Sequence, residues 1–349
     1  MSINIKLLSE ICEVPGAPGF EQKIREVILR EVTPLVDAVS IDNIGNVTAF
    51  KKGKKSKKLM MSAHMDEIAF IVHHIDDAGF IRFQPLGGFD PKTLTAQRVI
   101  IHGKKDIIGV MGCKPIHIMT AEEKGKKLEL KDFYIDTGMP KKEVEKIVDI
   151  GDAITRERTL IEMGDCVNTK SLDNRVSVFI LIEMLRELKK KPAFDIYAVF
   201  TVQEEVGLRG AKASALEISP DFAVNIDTTI AFDTPDSRPE EIVTKLGDGT
   251  AIKIKDRSVI CDRRMVKYMR SQAKKKKIQY QLELLPAGGT DTAALQYYNA
   301  GGSIAGALSI PTRHIHQSIE MCHKQDIRDT IDLLRACAED MDKHDWSFL

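Results

Sequence analysis

The sequence predicts an α/β protein built on a mixed sheet and interrupted by an inserted β-rich module. Three observations predict it. Both flanks of the chain alternate strand-like apolar runs with amphipathic helical stripes, the pattern of a mainly parallel or mixed sheet with helices on its faces. Between about Ile68 and Asp165 the texture changes to short β-rich runs separated by Gly- and Asp-containing turns. The 349 residues also exceed a typical domain of roughly 100–200 residues, which leaves room for a second one. Residues 1–67 and 166–349 are accordingly read as one discontinuous α/β domain and residues 68–165 as the insert.

The N-terminal flank opens with two helices. Leu7, Leu8, Ile11 and Cys12 recur at helical spacing, PGAPG breaks the chain, and Ile24, Val27, Ile28 and Val32 make a second stripe. Strands follow at Val39–Asp42 and Val47–Phe50. The basic run Lys51–Lys58 then reads as a solvated hairpin turn, because no aromatic residues interleave with it as an anion-binding strip would require. Leu59–Ala63 reads as a buried strand ending at His64. In the insert, strands are expected at Ala69–Val72, Phe80–Phe83, Arg98–His102 and Ile107–Gly112, with only Pro140–Ile147 helical, which suits a small barrel or sandwich. Beyond Asn168 come a long helix from Asn174 to Lys190, strand Asp195–Val202, a helix near Ala211 and strand Phe222–Ile226. Helices Cys261–Lys275 and Asp291–Tyr298, strand Ser303–Ser309 and helix Asp326–Met341 close the chain.

Composition excludes several classes. Lys+Arg and Asp+Glu are both 51, so the basic excess of a nucleic-acid binder is missing. No apolar stretch approaches the roughly 18 residues of a membrane span, and the N-terminus lacks a basic start followed by an apolar core. The six cysteines are scattered without a CxxC pair and read as reduced thiols of a cytoplasmic protein.

Polar groups gather where open α/β sheets place their sites, beyond the carboxyl ends of strands. His64 and Asp66 follow one apolar run, and Gln203, Glu204 and Glu205 follow a second. Asp227 follows a third, Arg313-His-Ile-His316 a fourth, and Asp173 precedes the long helix. Each has an innocent reading. Asp173 makes a good helix N-cap, Asp66 and Asp227 suit turns, and a lone His at a strand end is commonly a hydrogen-bonded structural residue. Adjacent Glu204 and Glu205, however, repel unless a cation sits between them. Imidazoles and carboxylates without a thiol suit zinc, cobalt or manganese. Together the groups form a dinuclear donor set with one glutamate to spare. A metal lowers the pKa of coordinated water from about 15.7 toward 7, and a spare Glu can carry that water's proton. Spacing does not decide which of Glu204 and Glu205 carries it, nor which of His314, His316 and His323 is the ligand. Asp66 could accept the second ring N–H of His64.

The segments Ala63-His-Met-Asp-Glu-Ile, Ser171-Leu-Asp-Asn-Arg, Thr201-Val-Gln-Glu-Glu-Val-Gly-Leu-Arg-Gly-Ala211, Ile226-Asp-Thr-Thr, Gly288-Gly-Thr-Asp and Ile310-Pro-Thr-Arg-His-Ile-His316 resemble, in order, the tetrahedral (TET) aminopeptidases. These are glutamyl-aminopeptidase-like dinuclear metallopeptidases, and Gly109–His117 of the insert matches them too. The resemblance implies a mixed-sheet metallopeptidase domain with an inserted PDZ-like β-barrel that mediates dimerisation, the dimers assembling into dodecamers. It implies two divalent metals, zinc or cobalt: one on His64 and Asp227, the other on Glu205 and His316, with Asp173 bridging. Glu204 is then the general acid/base, Asp66 orients His64, and His323 is structural. Short peptides would be the substrates, and a deacylase acting on N-acyl amino acids is the alternative. His314, Ala69 and Ser177 depart from the family pattern, and Ser177, one turn past Asp173, could crowd the metal cradle. An acidic-substrate pocket would need a cation at its base, for which Arg175 and Arg313 are the candidates.

Overall fold

The computed structural model describes residues 3–235 and 237–348. Helices α1 (Ile5–Glu13) and α2 (Gln22–Val32) lead into strands β1 (Ala38–Ile41), β2 (Val47–Lys51) and β3 (Lys55–His64). Strands β4 (Ala69–Ile75), β5 (Ile81–Leu86), β6 (Arg98–His102), β7 (Asp106–Gly112), β8 (Tyr134–Asp136) and β9 (Ala153–Arg156) follow, with short helices α3 (Ala121–Gly125) and α4 (Lys141–Val144). The chain returns through β10 (Ile161–Met163), β11 (Cys166–Thr169), α5 (Leu172–Glu187), β12 (Phe194–Thr201), α6 (Arg209–Ile218) and β13 (Phe222–Ile230). Then come β14 (Thr250–Lys255), α7 (Arg263–Lys276), β15 (Tyr280–Leu284), α8 (Asp291–Tyr297), β16 (Ile304–Arg313), β17 (Glu320–His323) and α9 (Lys324–Asp340).

The large sheet runs β1-β2-β12-β3-β13-β16-β17-β11-β10, with β14 joined to β16 and β15 to β14. Its centre, β12-β3-β13-β16, is parallel. These strands are apolar at successive positions because both faces are covered. Leu59 and Met61 of β3 enter the core under α1, α5 and α9, while Met60 between them packs on the opposite face against alanines of α6 and α8. Strands β4–β9 close an antiparallel barrel in the order β4-β5-β8-β7-β6-β9, filled by Phe70, Val99, Ile101, Phe133, Ile135 and Ile154. Closure leaves the barrel no unpaired edge. Among the described residues no helix is long and apolar enough to cross a membrane, and all six cysteines are free thiols.

Two expectations need correction. The Lys51–Lys58 run is largely solvated, with Lys52 and Lys54–Lys57 exposed, but it is no hairpin turn: β12 lies between β2 and β3, and Lys55–Lys58 already belong to β3. The insert holds a second short helix, α3, whose Thr120 and Glu123 form a reciprocal cap, and its other helix is only the turn Lys141–Val144. Strands β8–β11, β14, β15 and β17 were not expected from the sequence. β10 pairs with β11, so this stretch belongs to the large sheet although the sequence places it in the insert.

Candidate active site

The parallel strands deliver their C-terminal ends to one cleft of about 800 Å³. Thr201 at the end of β12 pairs in register with His64 at the end of β3, so Glu204 and Glu205 emerge beside that imidazole. Asp227 lies within β13, three residues before its end, and His316 follows β16. Asp173 enters from the start of α5. There the N-cap reading fails: Asp173 and Asn174 are not helical, the peptide between them is cis, and the aspartate caps nothing. The Asn174 amide donates to the Ile226 carbonyl (2.9 Å), tying this corner to β13, and the Asp173 N–H donates to Glu320 (2.9 Å).

Asp173 sits between the two imidazoles. Its Oδ1 is 3.3 Å from His64 Nε2, and its Oδ2 is 3.2 Å from His316 Nε2. Asp227 Oδ1 and Glu204 Oε2 approach His64 Nε2 at 3.7 and 4.0 Å, and Glu205 Oε1 lies 3.6 Å from His316 Nε2. His64 Nδ1 faces the Asp66 carbonyl oxygen at 3.2 Å, and His316 Nδ1 faces the Gly88 carbonyl at 3.0 Å. A carbonyl only accepts, so each ring donates from Nδ1 and directs its Nε2 into the cluster. All six sequence-predicted ligand and acid/base residues therefore meet here. His323 lies apart as the N-cap of α9, accepting from the Gln325 N–H, and His314 is exposed.

Asp66 does more than the sequence suggested. Its carboxylate oxygens accept the backbone N–H groups of Glu204 (3.0 Å) and Glu205 (3.1 Å), while its Oδ1 is 3.5 Å from His64 Nδ1. One buried side chain thus fixes both glutamates and sits beside the imidazole. The Gly88 contact was invisible in the sequence because it is a backbone group. Gly87, at φ +103°, brings that loop in, and a Cβ there would meet Ile68 at 2.6 Å. Ser177 is buried and outside the cleft lining, so it does not crowd the site, and Ala69 packs with Ala17 and Ala153. Arg175 and Arg313 do not reach the cleft: Arg175 donates to the Ile11 and Val14 carbonyls, and Arg313 pairs with Asp233.

The electrostatics are those of a site short of positive charge. Burial pushes the Glu205 carboxyl up to about 8 against the pull of His316, and Asp227 up to about 7 against the pull of His64. Burial also holds Glu204 well above its usual range, with Glu205 and Asp227 adding to it against His64. Burial opposes protonation of His316, but the Asp173 hydrogen bond and Glu205 outweigh it and lift the ring to about 10. Asp173, hydrogen-bonded to both imidazoles, goes the other way despite its burial. Glu205 Oε1 is buried without a hydrogen-bond donor. Ligand atoms of His64, Asp173 and Glu205, and likewise of His64, Glu204 and Asp227, lie within 4.8 Å of one another. Carboxylate oxygens and imidazole nitrogens at these separations fit a divalent cation.

A mixed sheet carrying this donor set at the ends of its parallel strands defines a metal-dependent hydrolase. Residues 45–333 match the M42 glutamyl aminopeptidase family, and the chain belongs to it. It is an aminopeptidase. It is 33% identical to the lysyl aminopeptidase of Pyrococcus furiosus, covering 99% of both chains. It superposes on an aminopeptidase from the archaeon Desulfurococcus kamchatkensis with a TM-score of 0.93 at 38% identity, over 96% of this chain and 94% of that one. On a Pyrococcus horikoshii TET1 peptidase that assembles into a tetrahedron or a large octahedral shell, the TM-score is 0.86 at 32% identity, over 96% and 99% of the two chains.

Proposed function

We propose that the protein removes N-terminal residues from short peptides at a dinuclear centre. His64 and Asp227 hold one metal, Glu205 and His316 the other, Asp173 bridges them, and Glu204 is the general acid/base. The observation that carries this reading is the position of Asp173, with one oxygen toward each Nε2 at 3.3 and 3.2 Å. When bound, the divalent cations, zinc or cobalt, supply Lewis acidity for the scissile carbonyl and acidify water. Glu204, its backbone N–H held by Asp66, takes the proton from the attacking water and returns it to the departing amine nitrogen. Asp66 holds the two glutamates in register, and the Asp66 and Gly88 carbonyls hold the two rings in one tautomer.

The chain works as a homo-oligomer, dimers joining into a dodecamer. Supporting this, Ile108, Val110, Ile116, Ile118 and Ile150 are exposed on the inserted barrel, and the related TET1 peptidase forms a closed shell. The six unpaired thiols suit the cytoplasm. In the decisive test, Glu204→Gln keeps two metals per subunit and loses about 10²–10⁴-fold in kcat on aminoacyl-anilides. An unchanged rate, or hydrolysis of N-acyl amino acids in place of the anilides, overturns the proposal.

A further inference from the structure

Family membership leaves open which N-terminal residue the enzyme takes, and the cleft bears on that choice. Its apolar lining is Leu208, Ile230, Leu285 and Ile315 together with Phe89 from the inserted module. Among the described residues no Lys or Arg lines it. Outside the proposed ligands and Glu204, its one charged residue is Asp90, exposed at the rim. One Asp90 oxygen accepts the Lys92 N–H, and among the described residues lining the cleft no cation pairs with its charge.

Three cations near the cleft are engaged elsewhere, and a fourth, Arg156, is buried over the Phe89 ring (5.9 Å to its centroid) with Nε and one terminal nitrogen unpartnered, but is not among the residues lining the cleft. Lys253, fully buried behind the β13 wall, is bonded to Glu283 (2.6 Å) and lies 3.3 Å from Asp256, and Thr229 also donates to that Glu283 oxygen. Arg313 is held by both oxygens of Asp233 at 2.7 Å, and Arg175 is closed inside the domain. An acidic side chain entering this cleft would lose water and gain no cationic partner from the residues lining it, whereas an aliphatic one buries its surface against five apolar side chains.

We infer that the cleft selects an uncharged aliphatic N-terminal residue, such as Leu or Met, and rejects an acidic one. This rests on the aminopeptidase reading of the same site. The test is equilibrium binding, by calorimetry, of leucinamide, lysinamide and the α-amide of glutamate to the metal-loaded Glu204→Gln protein, beside hydrolysis of the matching anilides by the native enzyme. Leucinamide is expected to bind about tenfold or more tighter than the glutamate amide. Ile230→Arg, at a partly exposed position on the rim of β13, is expected to narrow that ratio about tenfold with metal content unchanged. A smaller preference for leucinamide, tighter binding of either charged amide, or no binding of any overturns the inference. A native enzyme that hydrolyses no anilide while its variant still prefers leucinamide would sink the peptidase reading and leave the pocket assignment standing.

Discussion

Two buried charge clusters stand back to back at the start of α5, and they are built on opposite principles. Behind the site, the Glu67 carboxylate accepts three hydrogen bonds, two from Lys170 (2.7 Å to each oxygen) and one from Ser171 (2.6 Å), and Arg175 lies 3.6 Å away. All are buried, and despite burial the two cations hold the Glu67 carboxyl below its usual range. In front, four carboxylates and two imidazoles share the cleft with no Lys or Arg among its lining residues. At Glu67 the chain thus neutralises a buried carboxylate with its own cations, whereas the cleft carboxylates, of which Asp173 lies three residues from Lys170, have no such partner lining the cleft among the described residues, and a divalent cation fits the missing charge.

The strongest way to break this contrast is at the shared carboxylate. Asp173→Ala removes the group facing both imidazoles. It is expected to lower metal content from the proposed two per subunit to one or fewer and to cut kcat/KM about 10³-fold or more. Two metals retained with near-normal turnover would mean that the two rings are joined by something other than Asp173.

The rear cluster should fail differently. Lys170→Met strands Glu67 in the interior and is expected to cost about 3–5 kcal/mol of stability by urea unfolding, with metal stoichiometry preserved in the folded fraction. Adding Glu67→Gln should recover part of that loss, because the charge left unpaired is then gone. Loss of metal without loss of stability would show that Lys170 serves the front site.

How much of this was readable in advance follows from what each residue's neighbours are. His64, Glu205 and Asp227 stand out because each is a polar group at the end of an apolar run, and burial on both sheet faces makes those runs continuous. Strand β14 hid itself: Lys253 interrupts its apolar pattern and is buried only because Glu283, in β15, reaches it. Such a pair is a tertiary fact with no local signature. The same holds for Arg175, whose partners are carbonyls of α1 and the loop after it, and for Gly88, which acts through its backbone. Asp66 was singled out for one contact and makes its firmest bonds to two others, since a carboxylate two residues from an imidazole says nothing about which amides the fold will bring to it.

The smallest effect is expected where the rear cluster's principle is repeated near the surface. Glu187 at the end of α5 accepts from Arg328 of α9 with both oxygens (2.7 and 2.8 Å) and from Arg335 (2.9 Å). Burial raises its carboxyl, but the Arg328 hydrogen bonds and the two cations outweigh that and hold it below its ordinary value. A depressed folded-state pKa means that the stabilisation is complete above the unfolded value, about 4.3, and fades as pH falls through the folded one. Asp332 competes for both arginines and solvent screens them, so the term is about 1 kcal/mol or less. Thermal melts of the native chain and Glu187→Gln should thus differ by about 2 °C at pH 7 and converge below about pH 4. A difference that persists unchanged at low pH would assign Glu187 a packing role, and the ion-pair principle would then hold only where water is excluded.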